Sequence, residues 1–224
     1  MQIRYLGHSS FEIEAGNRTF ITDPWLDPRP RDFTRHTPPA ATADSIRKAD
    51  IILLSHEHFD HCSPHDVGVI VSRTNAYVIG PEEALAKLNI NQRLKVPVSI
   101  GDSFNLIGVD IEVFEARHPQ SANPLAFVVK NGGQSFFFAG DTYDFGGLNG
   151  ITTDVAFLPI GGTFTMDVLS ALTALKRIRC KYVVPMHYNT FDRIHADVHD
   201  FHKRVKAAGK PEALILEVGE SVTV

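Results

Sequence analysis

Ser55-His56-Glu57-His58-Phe59-Asp60-His61 places three histidines and an aspartate within the six residues 56–61. The cluster closes residues 49–55, a largely apolar run that reads as a buried strand. Imidazole and carboxylate donors suit divalent first-row metals. Alternate residues of an extended segment point the same way, so His56 and His58 can share one metal. Asp60 and His61 stand where the chain turns into the next element, and they can reach a second.

Downstream, Ser63-Pro64 supplies an N-cap and a first helical residue, predicting a helix to Arg73. Residues 76–79 read as a strand. Pro81-Glu82-Glu83 opens another helix, with acids at its positive end. Upstream, 1–6, 9–14 and 18–22 are short strands split by Gly7 and the Gly16-Asn17 turn. The later chain gives strands 103–107 and 109–116, then a hairpin of 125–130 and 134–139 across Asn131-Gly132-Gly133. Strand 154–159 follows, then a helix over 167–177 with Val168, Leu172, Leu175 and Ile178 along one side. Strand 181–186, helix 196–207 and a final strand 213–218 complete the pattern. Strands first, then strands and helices interleaved, predict an α/β sandwich of two sheets face to face with helices outside. There is no repeat or linker, so 1–224 is expected to be a single domain. Residues 24–39 form a long Pro-rich loop carrying Arg29, Arg31 and Arg35, and loops of that length are often functional.

Composition narrows the function. The net charge is −4, which argues against a nucleic-acid partner, because gripping many phosphates needs a basic excess. Cys62 and Cys180 are far apart and form no CxxC pair, excluding a disulfide framework and a thiolate zinc site. Both read as reduced, partly buried thiols, with a thiol beside the site as the lesser reading for Cys62, which follows His61 directly. No apolar run is long enough to span a membrane and no cleavage signal is visible, so the cytoplasm is the expected location.

His56-x-His58-x-Asp60-His61 resembles the signature of the metallo-β-lactamase superfamily. The other motifs of that family follow in order: Asp23 in Phe20-Ile21-Thr22-Asp23-Pro24, His118 at the end of strand 113–117, Asp141 in Ala139-Gly140-Asp141-Thr142, and His187 in Val184-Pro185-Met186-His187-Tyr188. The likeness runs from Tyr5 to about Gly219. Leu6-Gly7-His8-Ser9-Ser10 and Pro185-Met186-His187-Tyr188-Asn189-Thr190 are similar to a branch of metal-dependent hydrolases near the L-ascorbate-6-phosphate lactonases. The resemblance implies the metallo-β-lactamase αββα sandwich. It implies two divalent metal ions, with His56, His58 and His118 holding one, Asp60, His61 and His187 the other, and Asp141 bridging. Asp23 would orient a ligand from outside. Zinc is favoured over manganese by affinity order, and iron is also admitted. The chain departs from the family pattern at Pro119 and the short segment 120–124, which implies a different substrate lip.

The expected chemistry is hydrolysis by a hydroxide shared between the metals, with Asp60 orienting it. Between Ile151 and Met186 there is neither His nor Glu, which removes the added motifs of the superfamily's nucleases. The expected substrate is a small anionic lactone, ester or phosphodiester, with homo-oligomerisation open. His8 near the mouth and the backbone amides of Gly161, Gly162 and Thr163 are candidate substrate contacts. Arg29, Arg31 and Arg35 are candidates to close over the pocket. His65 and the group His195, His199 and His202 read as surface histidines. The competing classes are a mononuclear iron oxygenase of the same fold and a catalytically silent metal-bound binding module.

Overall fold

Strand β4 (Ile51–Leu53) shows how the sandwich is built. Ile51 and Leu53 join one core while Ile52 and Leu54 join another, as the period of two along a strand requires. The same division separates Phe20 from Ile21 in β3 (Arg18–Thr22) and Ile79 from Val78 in β5 (Tyr77–Gly80). This sheet is therefore covered on both faces. The computed structural model describes residues 1–30, 34–209 and 211–224.

The first sheet also contains β1 (Gln2–Gly7), β2 (Ser10–Ala15), β6 (Lys95–Pro97) and β14 (Ser221–Thr223), in the order β14-β1-β2-β3-β4-β5-β6. The second contains β7 (Ser103–Leu106), β8 (Val109–Glu115), β9 (Leu125–Asn131), β10 (Gln134–Phe138), β11 (Val155–Pro159), β12 (Tyr182–Met186) and β13 (Glu212–Ala213). Its order is β13-β12-β11-β10-β9-β8-β7. Between the sheets lie Phe11, Phe20, Phe136 and Phe157, all fully buried, each worth about 1.5–3 kcal/mol of transfer free energy.

Among the described residues four helices cover the outer faces: α1 (Pro64–Thr74), α2 (Glu82–Ala86), α3 (Val168–Ala174) and α4 (Val198–Ala208). Ser63 caps α1 by accepting from the Asp66 amide, with Pro64 at the first position, and α1 buries Val67, Ile70 and Val71 on the first sheet. Asp167 and Asp197 cap α3 and α4 in the same way. Among the described residues no helix is long and apolar enough to cross a membrane.

Two expectations are corrected at the C-terminus. Residues 213–218 do not form a strand: only Ala213 of that run pairs, as the end of the two-residue β13. The chain then returns to the first sheet, where Ser221–Thr223 pairs antiparallel with β1. Strand β6 was not expected, because Lys-Val-Pro shows no alternation, and Pro97 is tolerated there because β6 is an edge strand.

The topology also places the site. β3 and β4 are parallel, as are β10, β11 and β12, while β8 runs with β10 through the antiparallel β9. The C-terminal ends of these strands lead directly into Asp23, the 55–61 segment, His118, Asp141, Gly161 and His187.

Candidate metal centre

Backbone bends after the strands aim the donors. His8, Asp23 and His187 all have positive φ, at 60°, 35° and 55°. Such conformations cost of order 1–3 kcal/mol in a non-glycine residue and persist where surroundings over-determine them. A tight turn, in which the His61 and Cys62 amides donate to His58 O, swings Asp60 and His61 round beneath His56. Gly140 permits the approach before Asp141: its φ is +56° and a Cβ there would meet Ser55 Cβ at 2.5 Å.

The ring nitrogens divide into outer and inner. On the outer side, His61 Nδ1 lies 2.7 Å from Asp23 Oδ2 and His56 Nδ1 lies 2.9 Å from Ser55 Oγ. His118 Nδ1 lies 3.2 Å from the Phe164 carbonyl, and His58 Nε2 lies 3.1 Å from the Gln120 carbonyl. Asp23 is saturated, since it also accepts from Ser55 N at 2.7 Å and Ser55 Oγ at 2.6 Å. The inner atoms face one another. His118 Nε2 is 3.3 Å from His58 Nδ1, and Asp141 Oδ1 is 3.4 Å from His61 Nε2. Asp141 Oδ2 is 3.1 Å from His187 Nε2 and 3.9 Å from His118 Nε2. Asp60 Oδ2 is 3.9 Å from His61 Nε2 and 4.0 Å from His187 Nε2.

These spacings fit metal ions. Two donors bound at 2.0–2.1 Å to one tetrahedral ion are about 3.3 Å apart. His56 Nε2, His61 Nε2 and Asp141 Oδ1 are buried and make no directed hydrogen bond with any described group. Leaving such atoms unsatisfied costs about 1–3 kcal/mol each, and a cation would satisfy them. Each inner nitrogen has an oriented outer one, the usual arrangement behind a metal-ligating histidine. His187 is the exception, as its Nδ1 has no hydrogen-bond partner among the described residues.

The electrostatics agree. Burial opposes a proton on His61, yet the carboxylates of Asp141, Asp60 and Asp23 hold it well above the usual histidine range. Burial likewise opposes charge on Asp141, but His187 and His61 hold its carboxyl well below the ordinary value. Asp60 is also held low against burial, first by His61 and then by His8. Burial and then His61 keep His56 neutral. The carboxylates thus draw positive charge into the donor cluster, as the raised pKa of His61 shows.

All seven expected donors, His56, His58, Asp60, His61, His118, Asp141 and His187, come together, and Asp23 lies behind His61. Other expectations fare differently. His8 is not at the mouth. It is buried, with Nε2 3.3 Å from Asp60 Oδ2, Nδ1 3.0 Å from Thr190 Oγ1 and its ring 4.3 Å from that of His187. Burial, then His187, pushes its pKa down to about 3, against the pull of Asp60. Gly161, Gly162 and Thr163 do not form a free anion nest, because the Gly162 amide already donates to Met166 O at 2.9 Å. Gly161 has another purpose: a Cβ there would lie 2.1 Å from His187 O. Arg35 is not poised over the pocket. It is buried, stacks 4.2 Å over the Trp25 ring and donates to Trp25 O. Arg29 is exposed, and Arg31 lies outside the described residues. Cys62 is buried against Ala84 O rather than joined to the donors, and burial pushes its thiol up to about 12. His65, His195, His199 and His202 are exposed.

A cavity of about 220 Å³ opens over the donors, its far wall formed by Phe59, Phe164, Phe191, Gln120 and Arg193. Gln120 belongs to the segment expected to form the substrate lip; the other four were not anticipated, although Phe59 lies inside the signature and Arg193 sits in the loop after His187. Glu57 shapes the short lip, accepting from Ser121 Oγ at 2.7 Å and Ala122 N at 3.1 Å. A larger cavity of about 470 Å³ lies beyond His8, bounded by Tyr188, His195 and Glu217, and contains none of the seven donors.

Two seven-stranded sheets with this donor cluster at one edge define a metal-dependent hydrolase of the metallo-β-lactamase fold. The beta-lactamase superfamily domain matches residues 2–187. A UPF0173 metal-dependent hydrolase from Carboxydothermus hydrogenoformans is 37% identical over 238 residues, covering 100% of both chains. One from Pyrobaculum arsenaticum is 34% identical, covering 98% of each. The solved structure of Igni18, a metallo hydrolase from Ignicoccus hospitalis, superposes with a TM-score of 0.86 at 32% identity, covering 99% of this chain and 97% of that one. The chain belongs to the UPF0173 metal-dependent hydrolases of the beta-lactamase superfamily.

Proposed function

We propose that this hydrolase holds two divalent metal ions and cleaves a small-molecule lactone, ester or phosphodiester. The observation that carries this is the convergence of seven donors whose facing atoms lie 3.1–4.0 Å apart without directed hydrogen bonds at His56 Nε2, His61 Nε2 and Asp141 Oδ1. His56, His58 and His118 would form one set and Asp60, His61 and His187 the other, with Asp141 between them, since its Oδ2 faces both His187 at 3.1 Å and His118 at 3.9 Å. Zinc suits these donors best, with manganese or iron as alternatives. Cations bound there supply the charge that acidifies a water and polarises a carbonyl or phosphoryl oxygen.

The protein groups do the rest. Asp60 is ionised and borders the cavity, so its carboxylate accepts a hydrogen bond from the attacking water and orients it, while the proton given up by the water passes to the leaving oxygen. For an ester or lactone, water oxygen bonds to the acyl carbon and the acyl carbon–oxygen bond breaks. The products are a carboxylate and a hydroxyl, joined in one molecule when the substrate is a lactone. Phe164 and Phe191 narrow the site and limit bulk water. The motif likeness to the L-ascorbate-6-phosphate lactonases supports a lactone, and the net charge of −4 supports a small anion over a polyanion. Assaying bis-p-nitrophenyl phosphate and simple lactones with zinc- and manganese-loaded protein tests this. Metal-dependent turnover that Asp60→Asn removes is expected; no turnover with either metal would overturn it.

A further inference from the structure

The wall facing the donors is poor in hydrogen-bonding groups. Phe59 is 45% exposed, borders this space and stands edge-on to Trp25 at 5.7 Å. Phe164 and Phe191 border the same space. Of the polar groups there, the Gln120 backbone carbonyl is already turned to His58, which leaves the Gln120 carboxamide and Arg193. A sugar-like substrate would bring a hydroxyl on nearly every carbon, and each one buried without a partner costs affinity. The space of about 220 Å³ is below the usual 300–1,000 Å³ of small-molecule sites, so the group seated there is small.

One charge stands on this wall. The Arg193 guanidinium stacks 4.6 Å over the Phe164 ring, is exposed, and has no carboxylate within ion-pair distance among the described residues. Its backbone is pinned by a hydrogen bond from Thr163 Oγ1 at 2.6 Å, so the side chain starts from a fixed point. A planar guanidinium pairs with a carboxylate through two parallel hydrogen bonds.

We propose that the substrate carries an apolar aryl or short alkyl group seated against Phe59, Phe164 and Phe191, and a single carboxylate held by Arg193. This rests on the donor cluster being the hydrolytic site. It selects a hydrophobic ester or lactone that also bears one free carboxylate over a sugar lactone. The far wall thereby sets specificity while the donor wall sets the reaction.

The experiment has a binding arm and a turnover arm, both on metal-loaded full-length protein. Calorimetry compares 4-phenylbutyrate, the neutral 4-phenylbutanol and the polar anion gluconate. Phenylbutyrate is expected to bind at least ten-fold tighter than either, and Arg193→Ala to bring phenylbutyrate and phenylbutanol together. Gluconate binding as tightly as phenylbutyrate, a phenylbutyrate advantage that survives in Arg193→Ala, or no binding of any probe would overturn the proposal. Turnover compares the mono-p-nitrophenyl ester of suberic acid with p-nitrophenyl octanoate. The ratio of their kcat/KM values should fall about ten-fold in Arg193→Ala through KM, and Arg193→Lys should restore part of it; an unchanged ratio would also overturn the proposal. Discrimination in binding with neither ester cleaved would leave the recognition by Arg193 and the apolar wall standing and count against ester hydrolysis at the donor cluster.

Discussion

His61 Nδ1 and Asp23 Oδ2 lie 2.7 Å apart with both side chains fully buried, and this contact fixes which way the His61 ring faces. With Nδ1 held by the carboxylate, Nε2 points at Asp60 and Asp141. Burial raises the Asp23 pKa, and the hydrogen bonds from His61 and Ser55 oppose that rise. In Asp23→Asn, one amide face must turn an N–H towards either His61 or the Ser55 amide. Metal affinity is expected to fall about 10–100-fold, the usual cost of losing such an outer partner. Competition with a chromophoric chelator measures it, and an unchanged affinity would contradict the role given to Asp23.

Two glycines should respond oppositely to alanine. At Gly161 the added Cβ would sit 2.1 Å from the His187 carbonyl, so the β11 and β12 exits must separate. A loss of about 1–3 kcal/mol is expected from overpacking, together with weaker metal binding as His187 moves. At Gly68, inside α1, an added Cβ meets nothing within 4 Å. Gly68→Ala should stabilise the protein by about 0.5–1 kcal/mol, since alanine loses less backbone entropy in a helix. Thermal melts of the two variants check both signs.

At the opposite end of the second sheet, Asp154 joins three strands. Its carboxylate accepts from Ser135 N at 2.8 Å and pairs with Lys181 Nζ at 2.7 Å. Burial opposes its charge, but Lys181 and Ser135 hold the pKa below the ordinary value. A carboxyl depressed in the folded state contributes stability above its unfolded pKa of about 3.9 and loses it as the pH falls through the folded value. Asp154→Asn should therefore be less stable than wild type at pH 7, and the gap should close on acidification below about pH 3.9. Denaturant midpoints across that range test it; a gap that persists in acid would mean that the lost hydrogen bonds, not charge, carry the effect.

The donor set was legible because each member follows a strand that the apolar pattern marks, and parallel strands deliver their ends to one edge. Asp23, His118, Asp141 and His187 needed the family likeness, as an isolated histidine or aspartate after a strand says little. His8 was misplaced because a residue after a glycine turn reads as surface, whereas its φ of 60° folds the ring inward under Asp60. The amides of Gly161 and Gly162 resembled an anion nest, but glycine there answers to the close passage of His187 O. Arg35 reads as a loop cation, and its burial on Trp25 depends on tertiary packing that no local pattern carries. The apolar wall escaped notice for the same reason: Phe59, Phe164 and Phe191 come from three separate segments.

The most direct test is elemental analysis of the protein purified without chelators, followed by stripping and titration with zinc or manganese while hydrolysis is followed. Two equivalents of divalent metal bound per chain are expected, with turnover lost on stripping and regained as the metal returns. Asp141→Asn should bind fewer than two equivalents and lose most turnover, because a neutral amide cannot balance paired cations. One equivalent or none at saturation in the wild type, or turnover that survives complete metal removal, would contradict the account.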